Sequence, residues 1–122
     1  MANILVIDDE FHIRELLKRF LQIDGHQVAV AENGAEGLKL VADTIFDLII
    51  TDIVMPEKDG FEVIMELFGQ SDHPKIMTIS GGSLGLDANG LMSISKMMGA
   101  VKVIAKPIDY EILSAAVREV LA

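Results

Sequence analysis

The 122-residue sequence contains no cysteine, which excludes disulfides and thiolate metal sites and accords with a cytoplasmic chain. Basic residues are scarce. Ten Lys and Arg stand against nineteen Asp and Glu, giving a net charge of −9 and a pI near 4.6. Binding a phosphate backbone needs a basic footprint, so no direct nucleic-acid contact is expected. An acidic surface instead favours basic partners. No run approaches the ~18 consecutive apolar residues that mark a bilayer-crossing helix. The first apolar run, Ile4–Ile7, meets Asp8-Asp9-Glu10 at once, unlike a secretory leader. No membrane insertion is therefore expected. Internal repeats and domain linkers are also missing, so residues 1–122 read as one domain.

Apolar residues are plentiful. They make up 51% of the chain and the mean hydropathy is +0.42, an excess that must go into a core. Ile4-Leu5-Val6-Ile7 has no polar alternation and predicts a strand buried on both faces. Ile13, Leu16, Leu17, Phe20 and Leu21 follow at helical spacing, closed by Asp24-Gly25 with Gly25 as a left-handed cap. Val28–Ala31 is a second, lighter strand. Asn33 with Glu36 resembles a capping box opening a short helix with Leu38 and Val41 inward. Leu48-Ile49-Ile50 predicts a third strand ending at Thr51-Asp52, Lys75–Ile79 a fourth and Val101–Ile104 a fifth. Helices are expected after Asp59-Gly60, around Leu91, Ile94 and Met98, and from about Asp109 onward. Gly81–Gly90 contains four glycines and reads as a loop. Strands alternating with helices predict an α/β, flavodoxin-like (βα)5 domain. Its doubly wound, parallel, five-stranded sheet takes the order 2-1-3-4-5, with helices on both faces.

In such a sheet the active crevice lies beyond the carboxyl ends of the strands. Strands one and three end there in Asp8, Asp9 and Asp52, the fourth in Ser80, and the fifth runs into Lys106-Pro107. Three neighbouring carboxylates repel one another unless a cation sits among them. Oxygen ligands without His or Cys favour a hard ion, Mg²⁺ with Mn²⁺ as the alternative. A carboxylate can attack a phosphoryl group to give an acyl phosphate. Lys106 supplies a second positive charge and Ser80 a hydroxyl donor for a phosphoryl oxygen. His12, His26 and His73 lack ligand spacing and are taken as surface or loop residues.

The motifs Ile7-Asp8-Asp9-Glu10, Thr51-Asp52-Ile53-Val54-Met55-Pro56 with Asp59-Gly60, Thr78-Ile79-Ser80-Gly81 and Ala105-Lys106-Pro107 together resemble the receiver domain of two-component response regulators. The resemblance spans nearly the whole chain. It implies that Asp52 accepts a phosphoryl group from a phosphohistidine on a sensor histidine kinase or histidine phosphotransfer protein. It implies that Asp9, Asp52 and the backbone carbonyl of Val54 ligate Mg²⁺, with Asp8 acting through water. Ser80 would swing toward the phosphoryl group and Lys106 would pair with it. The Lys106–Pro107 peptide bond is commonly cis in receivers.

The resemblance leads to a single receiver domain over residues 1–122, with no output domain. It would not be an enzyme beyond phosphotransfer to itself and hydrolysis of its own acyl phosphate. Its output would pass to an unknown downstream protein target, with a phosphoryl shuttle or a phosphorylation-independent scaffold as alternatives. A Mg²⁺-dependent phosphohydrolase would normally place a second Asp two positions after its nucleophile, where this chain has Val54.

Two features depart from the family pattern. Val103 stands where receivers often carry a Tyr or Phe that rotates on activation. Ser80 and Lys106 are 26 positions apart, wider than usual, with the surplus in Gly81-Gly82-Ser83-Leu84-Gly85. Ordering of that loop is expected to replace part of the aromatic switch.

Overall fold

The structure is a computed structural model that describes residues 1–52, 74–80 and 101–122. The elements run β1 (Asn3–Ile7), α1 (Phe11–Ile23), β2 (Gln27–Ala31), α2 (Gly34–Asp43), β3 (Leu48–Asp52), β4 (Lys75–Ser80), β5 (Lys102–Ala105) and α3 (Tyr110–Leu121). The expected helices after Asp59-Gly60 and around Leu91–Met98, and the loop at Gly81–Gly90, lie outside the described residues.

The five strands are parallel in the order β2-β1-β3-β4-β5. The apolar runs therefore fall at the sheet centre. Because side chains alternate across a strand, the sheet splits the core into two layers. Ile4, Val6, Leu48, Ile50, Met77, Ile79 and Ile104 pack with Ile13, Leu17 and Leu21 of α1 and Leu113, Val117 and Val120 of α3. On the other face Leu5, Ile7, Ile49 and Ile76 meet Leu38, Leu40 and Val41 of α2. A fully buried aliphatic side chain contributes about 1.5–3 kcal/mol, so these two layers hold the strand ends in place.

The helix termini follow the sequence signals. Gly25 has φ +89° and its N–H donates to the Gln22 carbonyl at 3.0 Å. The Asn33 side chain accepts from the Glu36 N–H at 2.8 Å, and Asp109 accepts from Ile112 N–H at 3.1 Å. At Gly37 the space for a side chain is already taken. A Cβ there would lie 2.9 Å from Cγ1 of Ile7 and closer still to its Cδ1, so only glycine lets α2 sit this near β1.

Candidate functional site

The sheet register brings the polar residues to one rim. Ile7 pairs with Thr51, so Asp8 and Asp52 leave neighbouring strands at the same level. Asp52 pairs with Ile79, and Ser80 with Ala105, so Lys106 steps off β5 just beyond the end of β4. The Lys106–Pro107 peptide is cis. Thr51, fully buried, donates its hydroxyl to the Asp52 carbonyl at 3.0 Å.

Lys106 Nζ lies 2.9 Å from Asp52 Oδ2, 3.4 Å from Asp8 Oδ2 and 3.6 Å from Glu10 Oε1. Asp8 is 0% exposed and Asp52 5%, so water screens these charges little. Burial pushes the Asp8 carboxyl up to about 6, reinforced by the charge of Asp52. The Glu10 N–H and Lys106 act in the opposite direction. For Lys106, burial opposes the charged form, but the carboxylates of Asp52, Asp8 and Glu10 outweigh it and raise the pKa above its ordinary value. One ammonium thus serves three acids.

The loop between β1 and α1 is fixed at Asp8. Its N–H donates to the Ala31 carbonyl at 3.1 Å, and its Oδ1 accepts from the Glu10 N–H at 2.8 Å. Its main-chain carbonyl accepts from Arg14 Nη1 at 2.8 Å. Asp9 is exposed, yet carboxylate oxygens of Asp8, Asp9 and Glu10 lie within 4.8 Å of one another. Asp8 Oδ2 is buried without a hydrogen bond, its charge met at 3.4 Å by Lys106. An all-oxygen cluster with one orphaned carboxylate oxygen suits a hard divalent cation such as Mg²⁺.

Asp8, Asp52 and Lys106 are therefore brought into contact, and Asp9 adjoins them. Ser80 is placed by its backbone at the end of β4. Val54 lies outside the described residues. Sequence reasoning assigned no role to Glu10 or Arg14. Glu10 sits in the Ile7–Glu10 motif but its reach to Lys106 depends on the turn. Arg14 is one of several basic residues on α1, and only its hydrogen bond singles it out.

Residues 4–118 match the response regulator receiver domain family. This chain belongs to that family. Receivers are the phosphorylation-controlled signalling domains of two-component systems; they interact with histidine kinases and downstream targets, and they bind Mg²⁺ at the phosphorylation site. A curated relative, a probable transcriptional regulator from Porphyra purpurea, is 37% identical over 119 residues, covering 98% of this chain and 47% of its own. The response regulator MprA of a Mycobacterium species is 35% identical, covering 98% of this chain and 50% of its own. The chain thus spans about half the length of the curated relatives it matches. Among solved structures, the response regulator TrrA from Thermotoga maritima in complex with Mg²⁺ and BeF aligns with TM-score 0.85 and 35% identity, covering 99% of this chain and 100% of that one. Among the described residues no helix is long and apolar enough to cross a membrane.

Proposed function

We propose that this receiver accepts a phosphoryl group on Asp52 from the phosphohistidine of a sensor kinase or phosphotransfer protein, in the cytoplasm, and signals through changed protein contacts. The carrying observation is the juxtaposition of buried Asp52 with Lys106 at 2.9 Å and, through that same ammonium, with Asp8. In the transfer, a carboxylate oxygen of Asp52 bonds to phosphorus as the phosphorus–nitrogen bond to histidine breaks, the bonding pair passing to the nitrogen of an imidazole that leaves neutral with its other nitrogen protonated.

Asp9, Asp52 and the Val54 carbonyl would hold Mg²⁺, with Asp8 through water. When bound, the ion neutralises charge that develops on the phosphoryl oxygens. Lys106 then pairs with the phosphoryl group and Ser80 donates a hydroxyl to it. Hydrolysis of the acyl phosphate returns the domain to its starting state. The whole set Asp8, Asp9, Asp52, Ser80 and Lys106 is present, which argues against a phosphorylation-independent scaffold; a phosphoryl shuttle would use the same residues.

The deciding experiment treats the protein with acetyl phosphate and Mg²⁺ and weighs it intact, with Asp52→Asn alongside. One added phosphoryl group that requires Mg²⁺ and is lost in the variant is expected. No adduct, together with no binding of beryllofluoride, would replace this reading with the scaffold.

A further inference from the structure

The chain passes from the last residue of β1 to the first of α1 through Asp8, Asp9 and Glu10 alone. Within that short turn the exposed Asp9 carboxylate has its direction set chiefly by its backbone. The Asp8 carbonyl and the Asp9 N–H belong to one rigid peptide plane, so fixing the carbonyl fixes the plane from which Asp9 projects. Arg14 Nη1 does this at 2.8 Å. The guanidinium is itself located, its Cζ lying 5.7 Å from the centre of the Phe11 ring, a cation–π distance. A planar, fully charged donor held over an aromatic face loses little freedom in making this bond.

We propose that Arg14 is a positioning residue for the Mg²⁺ site, orienting the Asp8–Asp9 peptide so that both carboxylates serve the cation; this rests on the reading of the site given above. Electrostatics alone points the other way. A guanidinium beside a cation site repels Mg²⁺, so neutralising it should tighten binding if charge were all that mattered. Positioning gives the opposite sign, because an untethered peptide must be ordered when the ion binds. Groups that orient metal ligands typically change affinity by about 10–100-fold when removed.

Mg²⁺ dissociation constants for wild type, Arg14→Met and Arg14→Lys, read from the amide shifts of Asp9 and Glu10, test this. Urea midpoints in EDTA serve as the stability control. Arg14→Met is expected to weaken Mg²⁺ binding about tenfold. Arg14→Lys, which keeps a donor for the carbonyl but not the planar stacked group, is expected to recover part of that loss at a comparable urea midpoint. Unchanged or tighter binding in Arg14→Met, with wild type binding normally, overturns the role of Arg14 alone. Failure of wild type to bind Mg²⁺ overturns the site reading and this inference together.

Discussion

The Lys106 ammonium stands 2.9 Å from Oδ2 of Asp52, joining residues 54 positions apart at the exits of β5 and β3. Its side chain is only 16% exposed, and removing it takes a positive charge away from two buried carboxylates. Lys106→Met is therefore expected to lower stability in EDTA by about 1–3 kcal/mol, the usual cost of leaving a buried polar group unsatisfied. Mg²⁺ should restore a large part of this and bind more tightly than in wild type, because no resident cation competes. Urea titrations with EDTA and with Mg²⁺ check both points. A loss of stability that Mg²⁺ leaves untouched would place Lys106 outside the charge balance of the site.

Asp8 makes a linked prediction about pH. Its folded pKa of about 6 lies above the ordinary aspartate value of 3.8. A raised carboxylate pKa means that the folded state binds more protons than the unfolded state between those values. Stability therefore rises as pH falls from about 6 toward 4, and the penalty is fully present above 6. By linkage the contribution is about 2–3 kcal/mol. Asp8→Asn should remove this slope and stabilise the metal-free protein at pH 7 while weakening Mg²⁺ binding. Urea midpoints at pH 7.5 and 5.5 in EDTA measure the difference between wild type and variant; equal slopes would contradict the buried-carboxylate account.

The strands were legible because a sheet buried on both faces demands unbroken apolar runs, and Ile4–Ile7 and Leu48–Ile50 are such runs. Their ends carry the site, so locating the strands located Asp8 and Asp52. Boundaries moved where pairing rather than polarity decides them. Gln27 is exposed but pairs with Asn3 and so opens β2. Val101, read as the start of the fifth strand, lies before β5 and is 52% exposed, though its N–H still donates to the Ile76 carbonyl at 2.9 Å. Bonds from side chains to main-chain groups outside their own element were not legible. His26 lies in the loop before β2, as the sequence suggests, but it is half-buried and its Nδ1 accepts from the Ala2 N–H at 3.2 Å. Arg14 escaped notice for the same reason: a basic residue on a helix is ordinary until its partner is known.

Gly37 was not singled out either, since a helical glycine carries no mark of what it faces. Ile7 is 0% exposed, so its side chain must shift within the core when a methyl group arrives from α2. Overpacking of this kind costs about 1–3 kcal/mol, against about 1 kcal/mol gained from replacing a helical glycine by alanine. Gly37→Ala is accordingly expected to be destabilising, by up to about 2 kcal/mol. Thermal or urea unfolding checks it, and a stabilised variant would mean that α2 can lift from β1 without cost. Because Ile7 immediately precedes Asp8, the same variant should also weaken Mg²⁺ binding.

The last prediction concerns a node at the opposite end of α1. Asp24 accepts from the Ser114 hydroxyl at 2.6 Å and from the Tyr110 hydroxyl at 2.5 Å, and the Tyr110 ring meets Phe20 edge-on with centroids 5.2 Å apart. These bonds tie the end of α1 to the first two turns of α3, which follows the loop carrying Lys106. The Ser114 hydrogen bond, then that of Tyr110, lowers the Asp24 pKa below its ordinary value, although a helix C-terminus disfavours a negative charge. A depressed carboxylate pKa contributes stability that is present above the unfolded value of 3.8 and is lost as pH falls through the folded one. Ser114→Ala is expected to lower stability by about 1 kcal/mol at pH 7, typical of one hydrogen bond. The deficit should shrink as pH falls below 3.8 toward the folded pKa, because the unfolded chain takes up the Asp24 proton first. Urea midpoints at pH 7 and pH 3 measure it, and a deficit equally large at both would assign the effect to packing of the hydroxyl rather than to the charged bond.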